Sequence, residues 1–150
     1  MDLDPGSLHT TAAYVAVVLG IAGPVIGIVY AVRIDRRDFW RTPMLVSGTL
    51  TFVAILGAYL SGRRLVDADP SLLSDPLVAP HLEYVDRLLL PGAGFFIIVV
   101  LTGVLNPRTG VLRTVLPILL VGFAVVVLVL VVLSGDSGAR HLLDEIVEAF

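Results

Sequence analysis

The 150-residue chain has no cysteine and no lysine; all ten of its basic residues are arginine. The first absence excludes disulfides, iron–sulfur clusters and thiolate metal sites. The second reads as a genomic bias toward arginine, not as chemistry. Charge is scarce as well: 15% of residues are charged and 57% hydrophobic, where soluble domains carry about 25% charged residues. With a mean hydropathy of +0.95, the balance points to a membrane protein and away from a nucleic-acid binder. The length allows one bundle and no second domain of useful size.

Catalytic signatures are missing too. No G-x-x-x-x-G-K-[ST], H-E-x-x-H or G-x-S-x-G run occurs, so no recognised catalytic motif is present. Pumps and ion-coupled transporters place ionisable groups inside the hydrocarbon. The four apolar stretches of this chain, 11–32, 42–62, 88–107 and 114–135, hold none. That argues against a proton relay or a charge-lined pore. The mid-span polar groups are hydroxyls, Ser47, Thr49, Thr51 and Thr102, which bond back to their own helix.

What is present is four segments of spanning length, since about 20 apolar residues cross a bilayer. Lipid offers no partner to backbone groups, so each must be helical. The leading "MDLDPGS" is acidic, which argues against reading the first span as a signal peptide. Arg33, Arg36, Arg37 and Arg41 follow the first span, and Arg108 and Arg113 follow the third. Arg63, Arg64, Arg87 and Arg140 lie on the opposite side. This bias puts the two short basic loops in the cytoplasm and both termini outside a cell membrane. Tyr30, Phe39 and Trp40 read as inner-interface markers, and Tyr14, Tyr59 and Tyr84 as outer ones. Short connections make neighbouring helices antiparallel. The expected fold is therefore an all-α, integral-membrane, up-down-up-down four-helix bundle with a short C-terminal amphipathic helix.

Span one carries a small-residue stripe, Ala16, Gly20, Gly23, Gly27 and Ala31, and span two another: Ser47, Thr51, Ala54, Ala58 and Ser61. Small residues let helices approach closely in lipid, so the stripes should face each other in the bundle, or else a second copy of the chain. Pro24 should kink span one at the carbonyl of Gly20.

Three histidines gather on the expected outer side: His9 before span one, His81 before span three and His141 after span four. Imidazole is a common ligand of metals and haem. His9 lies 24 positions before Arg33, and His81 27 before Arg108. At 1.5 Å per residue that is about 36 and 40 Å from the inner end, beyond a hydrocarbon layer about 30 Å thick. On this estimate His81 lies about one turn farther out than His9, unless Pro91 tilts its helix. Two ligand sets are conceivable: haem b between His9 and His81, or zinc or copper held by His9, His81 and His141 with Glu83 or Asp86. Helix-start chemistry also accounts for the stretch "LVAPHLEYVDRLLLPGAG" without a ligand. Pro80 suits a first turn, Glu83 and Asp86 favour the positive end of the dipole, and Tyr84 suits the interface. The ligand-free account is preferred at this point.

Two polar appendages complete the chain. The outer connection, 63–87, is long for a bundle, and its "SLLSDPLV" piece reads as a short interfacial helix. The tail, 139–150, places Leu142, Ile146 and Phe150 on one face and Asp144, Glu145 and Glu148 on the other. Anionic lipid would repel such a helix, so docking on the outer loop or on another protein fits better.

The chain resembles the predicted membrane proteins grouped as "domain of unknown function 2231". The resemblance rests on "SLHTTAAYVAVVLGIAGPVIG", "LGAYLSGRRLVD", the polar lead carrying His81 and "LSGDSGARHLLDE", and covers most of the chain. Where the family often has "HP", this sequence reads "LHTT". The resemblance implies a four-helix bundle in a redox neighbourhood, since some members are joined to Rieske iron–sulfur domains. The reading adopted from sequence is a membrane protein without catalysis of its own, an accessory or structural subunit of a larger membrane assembly. Its partners are the lipid bilayer and a membrane protein or a second copy. The alternative is a haem b- or metal-binding electron-transfer module. Passage of a neutral solute is disfavoured because the spans offer no polar stripe.

Overall fold

Backbone groups that cannot reach water must bond within their own segment, and the apolar stretches form four long helices. In this computed structural model α1 spans Pro5–Val32, α2 Arg37–Ala68, α3 Val78–Leu105 and α4 Leu112–Glu148. Short 3-10 turns lie at Ile34–Arg36 and Pro70–Ser74. The structure describes residues 5–74, 76, 78–105 and 109–148, and side chains within 6–136 of that set. All four helices are long and apolar enough to cross a membrane, over Gly6–Val32, Ile34–Ala68, Val78–Leu105 and Leu112–Asp136.

The helices outrun the apolar stretches. α2 continues past Gly62 to Ala68, and α3 begins at Val78, so most of the expected 63–87 connection is helical. Its "SLLSDPLV" piece contributes a 3-10 turn instead of an interfacial α-helix. Hydropathy marks where side chains meet lipid; main-chain hydrogen bonding continues into the polar zone. The tail likewise has no separate start. The α4 backbone runs unbroken to Glu148, and the tail's side chains, His141 among them, lie outside the described residues.

α1 packs on α2 and α4, and α3 packs on the same two helices, so α1 and α3 stand across the bundle from each other. The α1 stripe turns inward and is shared among three neighbours. Gly20 lies against Val131 of α4, Gly23 against Thr51 and the Ser47 carbonyl of α2, and Gly27 beside Phe95 of α3 and Leu120 of α4. Thr51 Oγ1 donates across the α1–α2 seam to Leu19 O at 2.7 Å and also reaches Ser47 O at 2.9 Å. α1 passes through Pro24 as one continuous helix. Around the stripe, Phe95, Val99, Leu120 and Val127 fill the core and are wholly buried. The outward faces carry Val18, Val25, Val46, Val53, Ile118 and Val129, an apolar surface suited to lipid.

At the end holding the last turn of α1, two arginines reach unpaired carbonyls: Ala31 and Gly103 lie in the last turns of their helices, and Arg113 sits four residues before Pro117, which has no N–H to give it. Arg37 donates to Ala31 O at 3.3 Å and to Arg113 O at 3.4 Å, and Arg41 Nε to Gly103 O at 2.7 Å. A guanidinium at a helix C-terminus also opposes the negative end of the dipole. Tyr30, expected at the interface, is 1% exposed and sits under Arg37, 5.7 Å from guanidinium carbon to ring centre. It falls three residues after Gly27, on the inward face, and two residues before the end of α1. Of the mid-span hydroxyls, Thr49 bonds Leu45 O at 2.8 Å and Ser47 reaches Met44 O at 3.4 Å. Thr102 departs from expectation: its Oγ1 is buried with no partner among the described residues.

A Cβ at Gly23 would run into the Thr51 hydroxyl, whereas one at Gly57 meets nothing within 4 Å. Gly23→Ala is expected to cost about 1–3 kcal/mol of stability. Gly57→Ala should stay within about 0.5 kcal/mol of the parent. Thermal or denaturant unfolding in detergent measures both, and equal effects would contradict the packing described.

Candidate functional site at the histidine end

Two of the three histidines meet. His9 stands in the second turn of α1 and His81 in the first turn of α3, with ring centroids 6.5 Å apart and planes at 76°. The depth estimate that set them a turn apart counted to Arg33 and Arg108, which lie beyond their helices by different lengths. Counted to the helix ends, His9 is 23 residues before Val32 and His81 24 before Leu105. One residue of rise is about 1.5 Å, so the rings share a level.

Each ring is held by a neighbouring helix. His9 Nδ1 lies 3.0 Å from Ser61 Oγ of α2, and Ser61 Oγ donates to Ala58 O at 2.9 Å. A hydroxyl has one proton, and with it on Ala58 O the oxygen accepts from His9 Nδ1–H. His81 Nδ1 lies 3.1 Å from the main-chain carbonyl of Ser134 in α4. A carbonyl only accepts, so this nitrogen donates. In both neutral rings Nε2 is then the nitrogen that carries the lone pair. The His9 ring also needs the missing side chain of Gly62, where a Cβ would lie 3.0 Å from Cε1.

Of the wider metal set, Glu83 points away from His81. Glu83 is two residues from His81, about 200° around the helix, and its carboxylate is exposed and paired with Arg87. Among the described residues no group of three His, Cys, Asp or Glu side chains is disposed to hold a metal. The proposed contribution of His141 lies outside the described side chains. Sequence reading missed three participants: Ser61, which it assigned to a packing stripe, Gly62, and Ser134. Ser134 acts through its main-chain carbonyl, and a carbonyl leaves no signature in a sequence.

No protein-family model, curated protein or solved structure matches the chain. The candidate site therefore stands on its geometry.

The Ser134 carbonyl requires a proton on His81 Nδ1, and a Ser61 proton directed at Ala58 O requires one on His9 Nδ1. In ¹⁵N spectra of histidine-labelled protein, above the range where imidazole is protonated, His9 and His81 should both show a protonated Nδ1 and an unprotonated Nε2. Ser61→Ala should disturb His9 and leave the His81 pattern unchanged, at a stability cost of about 1–2 kcal/mol for the stranded donor. A protonated Nε2 on His81 would contradict the Ser134 contact.

Proposed function

We propose that this chain is a multi-pass membrane module, without catalysis of its own, that uses His9 and His81 as the ligand pair of a haem or transition-metal ion in electron transfer. The observation that carries this is the apposition of two imidazoles from opposite helices, each with Nδ1 engaged by a protein oxygen. Ligating histidines almost always donate their other ring N–H to such a group, which fixes orientation and raises ligand basicity. In this reading the bundle runs up-down-up-down in a cell membrane. The cluster of Arg33, Arg36, Arg37 and Arg41 faces the cytoplasm, and the histidine end and both termini face outward. The resemblance to the "domain of unknown function 2231" group, some of whose members are joined to Rieske domains, supports such a role beside a larger redox assembly.

A purely structural reading is favoured by the same hydrogen bonds. His9 joins α1 to α2 and His81 joins α3 to α4, so the pair fastens the outer end without any ligand. The chain is then an accessory subunit that contacts a membrane partner, or a second copy, through the Pro70–Ser74 region and the tail.

An absorption spectrum with elemental analysis of the purified protein separates the two. A Soret band or one equivalent of metal, lost in His81→Ala while the helices persist by circular dichroism, is the expected result. Protein that folds with neither, even after haem or metal is supplied, leaves the structural reading.

A further inference from the structure

We propose that the exposed arginines where α1 ends and α4 begins, Arg33, Arg36 and Arg113, hold the headgroup phosphate of an anionic phospholipid. This corner lies at the opposite end of the bundle from His9 and His81 and is independent of what they bind. Arg33 directly follows the uncharged run 11–32, and Arg113 directly precedes the run 114–135. At 1.5 Å per residue, runs of that length match a hydrocarbon layer about 30 Å thick. Both arginines therefore stand at the level of the lipid phosphates. Gly20 lies against Val131 of α4 and Gly27 beside Leu120; continued in that order, the end of α1 meets the start of α4. Arg37 closes the corner, since its guanidinium donates both to Ala31 O of α1 and to Arg113 O of α4.

The corner carries a positive excess. Among the described residues this end holds Arg33, Arg36, Arg37, Arg41 and Arg113 against Asp35 and Asp38. Arg37 and Arg41 are engaged on main-chain carbonyls. Arg36 meets Asp35 at 3.7 Å with the side chains 71% and 72% exposed, a pairing worth little in water. Arg33 and Arg113 meet no carboxylate among the described residues. The first turn of α4 carries Arg113 and no acidic residue, so side chain and helix dipole add instead of cancelling. An anion relieves that excess.

Neighbouring side chains select the kind of anion. Val32, Ile34 and Val111 stand exposed beside and between these arginines, and a free phosphate ion gains nothing from such a surface. A phospholipid uses both parts: its phosphate takes the guanidinium groups, and its glycerol and acyl chains lie on the apolar side chains. Arginine suits that task because its planar fork presents paired N–H donors to phosphate oxygens, while its stem lies along apolar surface. In the orientation proposed above, this end meets the cytoplasmic leaflet, where anionic lipid is concentrated.

Trp40, the single tryptophan of the chain, lies in the first turn of α2 three residues after Arg37 and serves as a local reporter. The full chain is reconstituted in nanodiscs of mixed phosphatidylglycerol and phosphatidylcholine, with one or the other lipid brominated, and Trp40 quenching is compared. Brominated phosphatidylglycerol is expected to quench more at equal mole fraction, and added salt should weaken its preference. Arg33→Gln, Arg36→Gln and Arg113→Gln should each lower that preference by up to about fivefold, and the triple variant should abolish it. The charge-retaining triple change to lysine should keep most of it, and Arg63→Gln with Arg64→Gln, at the other end, should leave it unchanged. Should the triple glutamine variant fail to fold, the three single variants decide. Equal quenching by both lipids in the parent overturns the proposal. A preference untouched by the three arginine changes, or reduced as much by Arg63→Gln with Arg64→Gln, overturns it too. Arginine-dependent binding of polyglutamate without any lipid preference assigns the surface to an acidic protein and likewise overturns it.

Discussion

Inside a bilayer, helices gain nothing by hiding apolar surface from one another, because lipid tails are as apolar as leucine. What remains is close packing, and in this protein α1 supplies the surface that permits it. Gly20, Gly23 and Gly27 each admit a different neighbour, and the Thr51 hydroxyl bonds across the seam to Leu19 O at 2.7 Å. α2 and α4 pack on that face, and α3 packs in turn on those two. The level and spacing of the ring pair at the far end follow from it.

The two ends of the bundle are fastened by different chemistry. Helix termini leave main-chain groups without partners, and side chains from neighbouring helices supply them. At one end Arg37 and Arg41 reach carbonyls in the last turns of α1 and α3, where positive charge is favoured. At the other, imidazoles join helices at interior positions, His81 through the Ser134 carbonyl within α4 and His9 through the Ser61 hydroxyl within α2. The difference matters for function. A guanidinium carries only donors, whereas the two nitrogens of a neutral imidazole differ, one a donor and the other an acceptor.

Much of the architecture was legible in the residues. Four uncharged apolar runs implied four helices because lipid leaves a backbone no other choice, and small-residue spacing implied an inward face on α1. The errors share one cause: hydropathy reports the environment of a side chain, not the path of the backbone. The apolar stretches stop at Gly62 and resume at Leu88, whereas α2 runs on to Ala68 and α3 begins at Val78. The same habit of counting from charged residues beyond the helix ends displaced His81 from His9 by a turn. Tyr30 lies two residues before the end of α1, and its register with Gly27 turns it inward, between the helices. Glu83 was grouped with His81 by proximity in sequence, although two residues along a helix point to nearly opposite sides.

The sequence by itself determined the class of molecule, the number of long helices and the exclusion of cysteine-based chemistry, because these depend on composition and on periodicity within one segment. Only the tertiary structure decided that His9 and His81 meet and that Ser61 and the Ser134 carbonyl orient them. The same holds for Glu83 and its outward direction. The positions involved lie 52 and 53 residues apart along the chain. Their encounter depends on the rotation and axial offset of whole helices, which are set by packing at positions far from the histidines themselves.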